Sequence, residues 1–324
     1  MNDKGTLVIS IDYEFAWGFC DIKINEKNRK KIIREREVTK AILSLFTQYK
    51  IQATWAVVGH LFLDKCTWLN TKPHPEFPHS VFIKSKVDWF FQHPKEFDEI
   101  WHAPDAISSI KEIIPQQEIG SHSFFHIPYS EHDANPEAVQ KDIVMAKNIH
   151  KKNNAPFYSF IFPRNVVGNR KRLAENGIIA YRGNPRRWFD FVKIVPLWRI
   201  LFFLEFVFCL VPQTAKAMRD EFGLINIPES MLLLGRNGIR KIITPEKLYT
   251  RAVKGLDQAV KRKEIFHLWF HPSNFSDDTE TQIRVLQKIL EYATKLKHEG
   301  QLEIKTMKQV ADQLNTEWPL QING

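Results

Sequence analysis

His122 and His126 lie four residues apart in EIGSHSFFH (residues 118–126), where an apolar run stops. His-x-x-x-His is one of the few short spacings that can hold a metal ion, and it also arises by chance. Three further apolar, β-branched runs end in titratable side chains: SIDYE carries Asp12 and Glu14, FYSFIF leads into Pro163-Arg164-Asn165, and IFHLWF into His271-Pro272. Singly, each has a plain explanation, since an Asp after a strand is a common turn former and an Arg there a common surface or ion-pair residue. Their joint occurrence at four run ends is harder to dismiss. Two neutral imidazoles and one carboxylate form a facial set for a divalent ion, with positions left for water and a substrate oxygen. A second carboxylate can then act as general base, because a metal lowers the water's pKa to about 7 and a modest base suffices. A histidine opposite can protonate a leaving amine, and an arginine can hold the base. Such a set hydrolyses an amide or ester.

The elements that must position these groups are βα units. Period-2 and β-branched runs predict strands at 6–12, 52–58, 118–121, 157–162, 177–181, 224–227, 265–270 and 302–305, and helical periodicity predicts helices at 26–49, 136–151, 245–263 and 279–298. Asn135 and Thr244 are plausible N-caps, and Gly300 a helix stop. Alternation of this kind predicts an α/β fold, a parallel barrel of seven or eight strands, with active groups at the C-terminal strand ends. Asp12 and Glu14, one residue apart, would point the same way on a continuing strand. No repeat or Gly/Ser linker divides the chain, so a single domain over 1–324 is expected.

Two segments break the pattern. Residues 64–104, rich in Pro, His, Trp and Phe, read as an insertion facing substrate or as an irregular excursion. Its aromatics, Trp68, Trp89, Phe90, Phe91 and Trp101, would stack on sugar faces or cover the barrel end. Residues 192–211 (VKIVPLWRILFFLEFVFCLV) are nearly all apolar, but Pro196, Arg199 and Glu205 interrupt them, which excludes a charge-free span. An interfacial helix on an anionic bilayer, with Arg186, Arg187, Lys193 and Arg199 nearby, stands beside a core or dimer-interface helix.

The 324 residues, 44% apolar and 26% charged, are those of an ordinary globular protein. Three cysteines (Cys20, Cys66, Cys209) without C-x-x-C spacing give neither a disulfide framework nor a thiolate zinc cluster. MNDKGTLVISIDYEF shows no secretory signal pattern, so a cytoplasmic protein is expected. The net charge of +9 suits an anionic partner or simply a basic solvated surface. No nucleic-acid-binding motif accompanies it.

The sequence resembles the polysaccharide deacetylase superfamily, the NodB-homology fold of carbohydrate esterase family 4, from about residue 6 to residue 272. SIDYEF resembles the first family motif, ATWAVVG a strand that in the family reads like ATFFVLG, EIGSHSFFH the histidine-pair motif, FPRNVVG the arginine motif, and HLWFHP the late motif ending in the catalytic histidine. The resemblance implies a distorted (β/α) barrel of about seven strands that removes an N-acyl group from a sugar. It implies Asp12 as base, Glu14, His122 and His126 as metal ligands, Arg164 as the residue orienting the base, and His271 as general acid. Adjacent aspartates are the commoner family pattern, whereas here Tyr13 separates Asp12 from Glu14. For the fourth motif, a supporting Asp, Asp190 is the candidate. Zinc is the expected metal, with iron and cobalt also suited. The expected substrate is a sugar of a surface-glycan precursor, such as one of lipopolysaccharide or capsule, carried on lipid or nucleotide, with peripheral membrane contact through 192–211. Two other readings remain at this point: a metal-independent hydrolase of a small amide, and a silent glycan-binding scaffold.

Overall fold

The structure, a computed structural model, describes residues 3–19, 23–66 and 96–317. In chain order the strands are β1 (Gly5–Tyr13), β2 (Thr54–Val57), β3 (Glu118–Ser121), β4 (Ser159–Ile161), β5 (Ala180–Arg182), β6 (Met218–Arg219), β7 (Ile225–Asn226), β8 (Met231–Leu232), β9 (Ile265–Phe270) and β10 (Leu302–Lys305). The helices are α1 (Glu26–Gln48), α2 (Pro104–Glu112), α3 (Pro136–Lys152), α4 (Arg170–Glu175), α5 (Val195–Val207), α6 (Pro245–Arg262), α7 (Thr279–His298) and α8 (Met307–Glu317).

The main ladder is parallel and runs β5-β4-β3-β2-β1-β9. The segment holding β7 and β8 closes it. Ile225, Ile227 and Glu229 donate N–H bonds to Ile179, Tyr181 and Gly183, after which Ser230 and Leu233 donate to His267 and Trp269. One bent stretch thus serves both free edges, which leaves a seven-membered barrel among the described residues. β10 lies along the first half of β1, and β2 along its second half. Closure removes sheet edges that would otherwise pair with another chain.

Alternation along β1 decides what lies inside. Leu7, Ile9, Ile11 and Tyr13 pack outward under the helices, in the large core that includes Val38, Ile42, Leu256 and Leu286. Val8 faces inward with Ala56, Ile161, Ala180 and Ile225 in a small apolar plug. Period 2 then puts Ser10 and Asp12 above the plug, and the same logic on β9 puts His267 and Trp269 inside with His271 at the mouth. A barrel whose lower layer is apolar and upper layer polar can hold charge only at one end.

Helix ends follow the expected chemistry. The Asn135 side chain accepts from the Glu137 and Ala138 amides, and Thr244 accepts from Lys247. Each cap is worth about 1 kcal/mol. Past α7, Gly300 sits at φ 73°, a left-handed position that favours glycine. Within 192–211 the structure forms α5, of 13 residues. Among the described residues no helix is long and apolar enough to cross a membrane. Trp68, Trp89, Phe90 and Phe91 lie outside the described residues. Trp101 is 3% exposed and packs edge-on against Trp17 at 5.1 Å, so it covers the barrel and offers no face for a sugar.

Candidate active site

β1, the loop after β3 and the end of β9 bring together the residues singled out at their ends. Ligand atoms of Glu14, His122 and His126 lie within 4.8 Å of one another. His122 Nε2 is 3.3 Å and His126 Nε2 2.9 Å from the same oxygen, Glu14 Oε2. His122 donates Nδ1–H to the Ile161 carbonyl at 2.8 Å, which leaves the Nε2 lone pair facing Glu14, the tautomer a metal ligand requires. His126 Nε2 is buried and, despite its 2.9 Å approach, has no hydrogen-bond alignment with Glu14. Burial pushes the His126 imidazole down, against the pull of Glu14. Burial would raise the Glu14 carboxyl, but the imidazoles of His271 and His126 override it and hold the group well below the usual range. Three ligand atoms gathered within 4.8 Å, two of them imidazole nitrogens set against one carboxylate, fit a divalent ion.

Local structure holds this set under tension. Ser123 (φ 68°) and His126 (φ 58°) are non-glycine residues in the left-handed region, as are Phe15 (φ 47°), Arg164 (φ 58°) and Asn165 (φ 55°). Such positions cost about 1–3 kcal/mol each and persist only where surroundings over-determine them. Asp142 on α3 is that surrounding for the histidine loop. Its carboxylate accepts from the Phe124 and Phe125 amides at 2.8 and 2.9 Å and from the Tyr129 hydroxyl at 2.8 Å. A Cβ at Gly18 would lie 2.2 Å from Glu14 Oε1. Gly18→Ala is therefore expected to displace Glu14 and weaken metal binding about 10–100-fold, by analogy with loss of a residue that orients a ligand, read by titration with a chromophoric chelator. Unchanged affinity here together with unchanged affinity in Glu14→Gln would show that Glu14 is not a ligand.

Asp12 has a partner that the sequence reading did not name. Arg182 donates Nη1 to Asp12 Oδ1 at 2.6 Å and Nη2 to Oδ2 at 2.8 Å, with both side chains almost wholly buried. Burial raises the Asp12 carboxyl, yet the Arg182 guanidinium wins and the group lies below its ordinary value. Arg182 also donates to Asn165 Oδ1 and Ser10 Oγ, and its guanidinium lies 4.1 Å from the centre of the Trp269 ring. Beneath it His267, pushed down to about 3 mainly by burial, is neutral. Its Nδ1–H points to the Ile227 carbonyl, so Nε2 accepts from the Ser10 hydroxyl at 2.9 Å. The chain His267–Ser10–Arg182–Asp12 is continuous, with the buried Arg182 Nε left without a hydrogen-bond partner among the described residues.

Arg164, expected on the base, is exposed and donates instead to the Gly18 carbonyl at 3.2 Å. Its charge acts on His126. A left-handed backbone at Arg164 turns its side chain toward the rim, while the end of the next strand supplies the guanidinium inside. Asp190 accepts from the Arg187 amide at 2.7 Å and the Trp198 indole at 3.5 Å, and these contacts place it in the loop before α5. His271 completes the cluster, with Nε2 3.4 Å from Glu14 Oε1 and 3.7 Å from Asp12 Oδ2, and Nδ1 3.4 Å from Asn274 Oδ1. Its side chain is 22% exposed, which puts it at the mouth.

No protein-family model matches the sequence, and no curated protein matches it. Solved structures do. A Mycobacterium smegmatis protein assigned as a polysaccharide deacetylase aligns with TM-score 0.64 at 12% identity, over 97% of this chain and 92% of that one. A second, from Pseudomonas aeruginosa PAO1 and assigned likewise, gives 0.64 at 11%, over 98% and 94%. Puue allantoinase gives 0.62 at 12%, over 97% and 91%. At these identities the likeness is one of fold, the distorted NodB-like (β/α) barrel.

Proposed function

We propose that this chain is a metal-dependent hydrolase that removes an N-acyl group, acetyl foremost, from a sugar. The observation carrying the reading is the adjacency, at one barrel mouth, of the clustered Glu14/His122/His126 donors, the Arg182-held Asp12 carboxylate and His271. Glu14, His122 and His126 would hold the ion, zinc being the simplest choice for two imidazoles and a carboxylate. When bound it would supply Lewis acidity toward water and the acyl oxygen. Asp12, kept ionised by Arg182, accepts the proton of the attacking water. His271, across the cluster and open to solvent, delivers a proton to the departing amine. Asn274 orients its ring. Arg164, at the rim beside His126, is left to substrate contact. Residues 1–324 are taken as one catalytic domain.

Within this reading the substrate is a sugar of a surface-glycan precursor on a lipid carrier or nucleotide, and the compartment is the cytoplasm, where free thiols such as Cys66 and Cys209 are ordinary. The test is acetate release from N-acetylated nucleotide sugars and glycolipids before and after chelation. Activity abolished by chelator and restored by zinc or cobalt supports the reading. Activity that survives chelation would favour the second reading, a metal-independent hydrolase of a small amide, which the likeness to an allantoinase keeps in view. No activity and no metal would leave a glycan-binding scaffold. His271→Gln is expected to lower kcat by about 10²–10⁴-fold, the usual contribution of a general acid, without loss of bound metal. Loss of metal would instead make His271 a ligand.

A further inference from the structure

α5 is apolar except for Arg199 and Glu205, and its two faces are treated differently. Along the inward stripe Trp198 stacks on Phe202 and Phe206 meets Phe202 edge-on, with Arg187 4.8 Å over Phe202 and Arg251 4.2 Å over Phe206. Glu205, buried among these, accepts from both Arg187 and Arg251 at 3.0 Å. The C-terminal end is fastened too, as Lys247 of α6 donates to the Val207 carbonyl and Lys254 to that of Cys209. Among the described residues the outward side has no such partners. Ile194 (65% exposed), Leu197, Ile200 and Phe208 (67%) face solvent, as does Phe191 (74%) in the preceding loop. A helix this apolar belongs in a core or at a membrane, and this one is rigidly held with one side bare.

Charge decides what covers it. Arg186, Lys193 and Arg199 are exposed around the apolar residues. The acids between residues 186 and 211 are Asp190 and Glu205, and both are engaged as described above. A second copy of the chain would meet this face through a two-fold interface, bringing like charges together. At 13 residues α5 is far shorter than the ~20 a crossing helix needs. We propose that the α5 face docks in the interfacial layer of an anionic lipid bilayer, apolar side chains in the acyl boundary and cations at the headgroups. The surface lies near the reaction site. Phe191 is nine residues beyond Arg182, at most about 32 Å of extended chain, and Arg187 pairs with Glu229 at 3.0 Å in the stretch that closes the barrel. A bilayer-held substrate would be presented at the mouth, but the docking itself does not rest on the reaction.

The test is co-sedimentation of the full chain with vesicles of phosphatidylcholine alone or containing phosphatidylglycerol, at low and high salt. Binding to the anionic vesicles, weakened by salt, is expected, with a loss of at least about tenfold in Lys193→Glu/Arg199→Glu and in Phe191→Ser/Ile200→Ser. Circular dichroism melts must show both variants folded, and metal content must match wild type, so that failure here is distinguishable from failure of the deacylase reading. No binding by the folded wild type overturns the proposal. So does binding that ignores lipid charge, or a dimer in solution that Phe191→Ser/Ile200→Ser dissociates.

Discussion

Chains carrying His122→Ala and His126→Ala together are expected to purify without metal, where the wild type carries about one equivalent of zinc or a related ion, and to lose about 10³-fold or more in kcat/KM. That factor corresponds to the several kcal/mol of charge stabilisation that a Lewis acid contributes at the transition state. The mutated side chains are buried, and thermal stability measured with and without added metal separates their packing from any ion they would hold. A ligand that binds only the folded state stabilises it by mass action. Adding zinc should therefore raise the wild-type melting temperature and leave that of the double variant unmoved. Equal metal content in both proteins by elemental analysis would refute the ligand assignment, whatever the activity.

Arg182→Met tests the other half of the site. Removing one partner of a buried ion pair leaves a bare charge and costs about 3–5 kcal/mol of stability, measurable by urea unfolding. The pH dependence has a definite sign. Asp12 is depressed in the folded chain, so its pairing contributes stability above the unfolded carboxyl value of about 3.9 and loses it as pH falls through the lower folded value. In Arg182→Met the largest lowering influence is gone and burial pushes the carboxyl up against the weaker pull of His271 and His122, so the acid limb of the kcat/KM profile should move to higher pH. Arg182→Lys keeps a charge without the two-pronged grip and should recover stability more than rate. An acid limb unmoved in Arg182→Met would mean that Asp12 is not the group titrating there.

Much of this site could be read from strand ends alone. Asp12, Glu14, His122, His126 and His271 all stand where an apolar run gives way; period 2 aims Asp12, Glu14 and His271 into one mouth, and the loop after β3 carries the two histidines there. The four long predicted helices match α1, α3, α6 and α7 within a residue at each end, because their caps and apolar stripes are local signals. Arg182 escaped for a local reason and a distant one. The predicted strand stopped at Tyr181, one residue short, so the rule that found Arg164 was not applied there. Nor can spacing say which arginine reaches Asp12 across 170 residues, since the two meet only when the barrel curls. Asp190 misled for the opposite reason, since an Asp near an arginine in sequence serves its own loop. Trp101 looked like a sugar platform by composition, and only packing against Trp17 shows that its face is taken.

The left-handed backbone at Phe15, His126 and Arg164 sets opposed selective pressures on those positions. At exposed Arg164 glycine or asparagine would sit at lower cost, whereas at buried Phe15 and His126 the packing lost would outweigh the relief. A descendant freed from such chemistry should show the change first at Arg164, gaining robustness as it forgets its substrate, while the strands beneath still spell the same barrel.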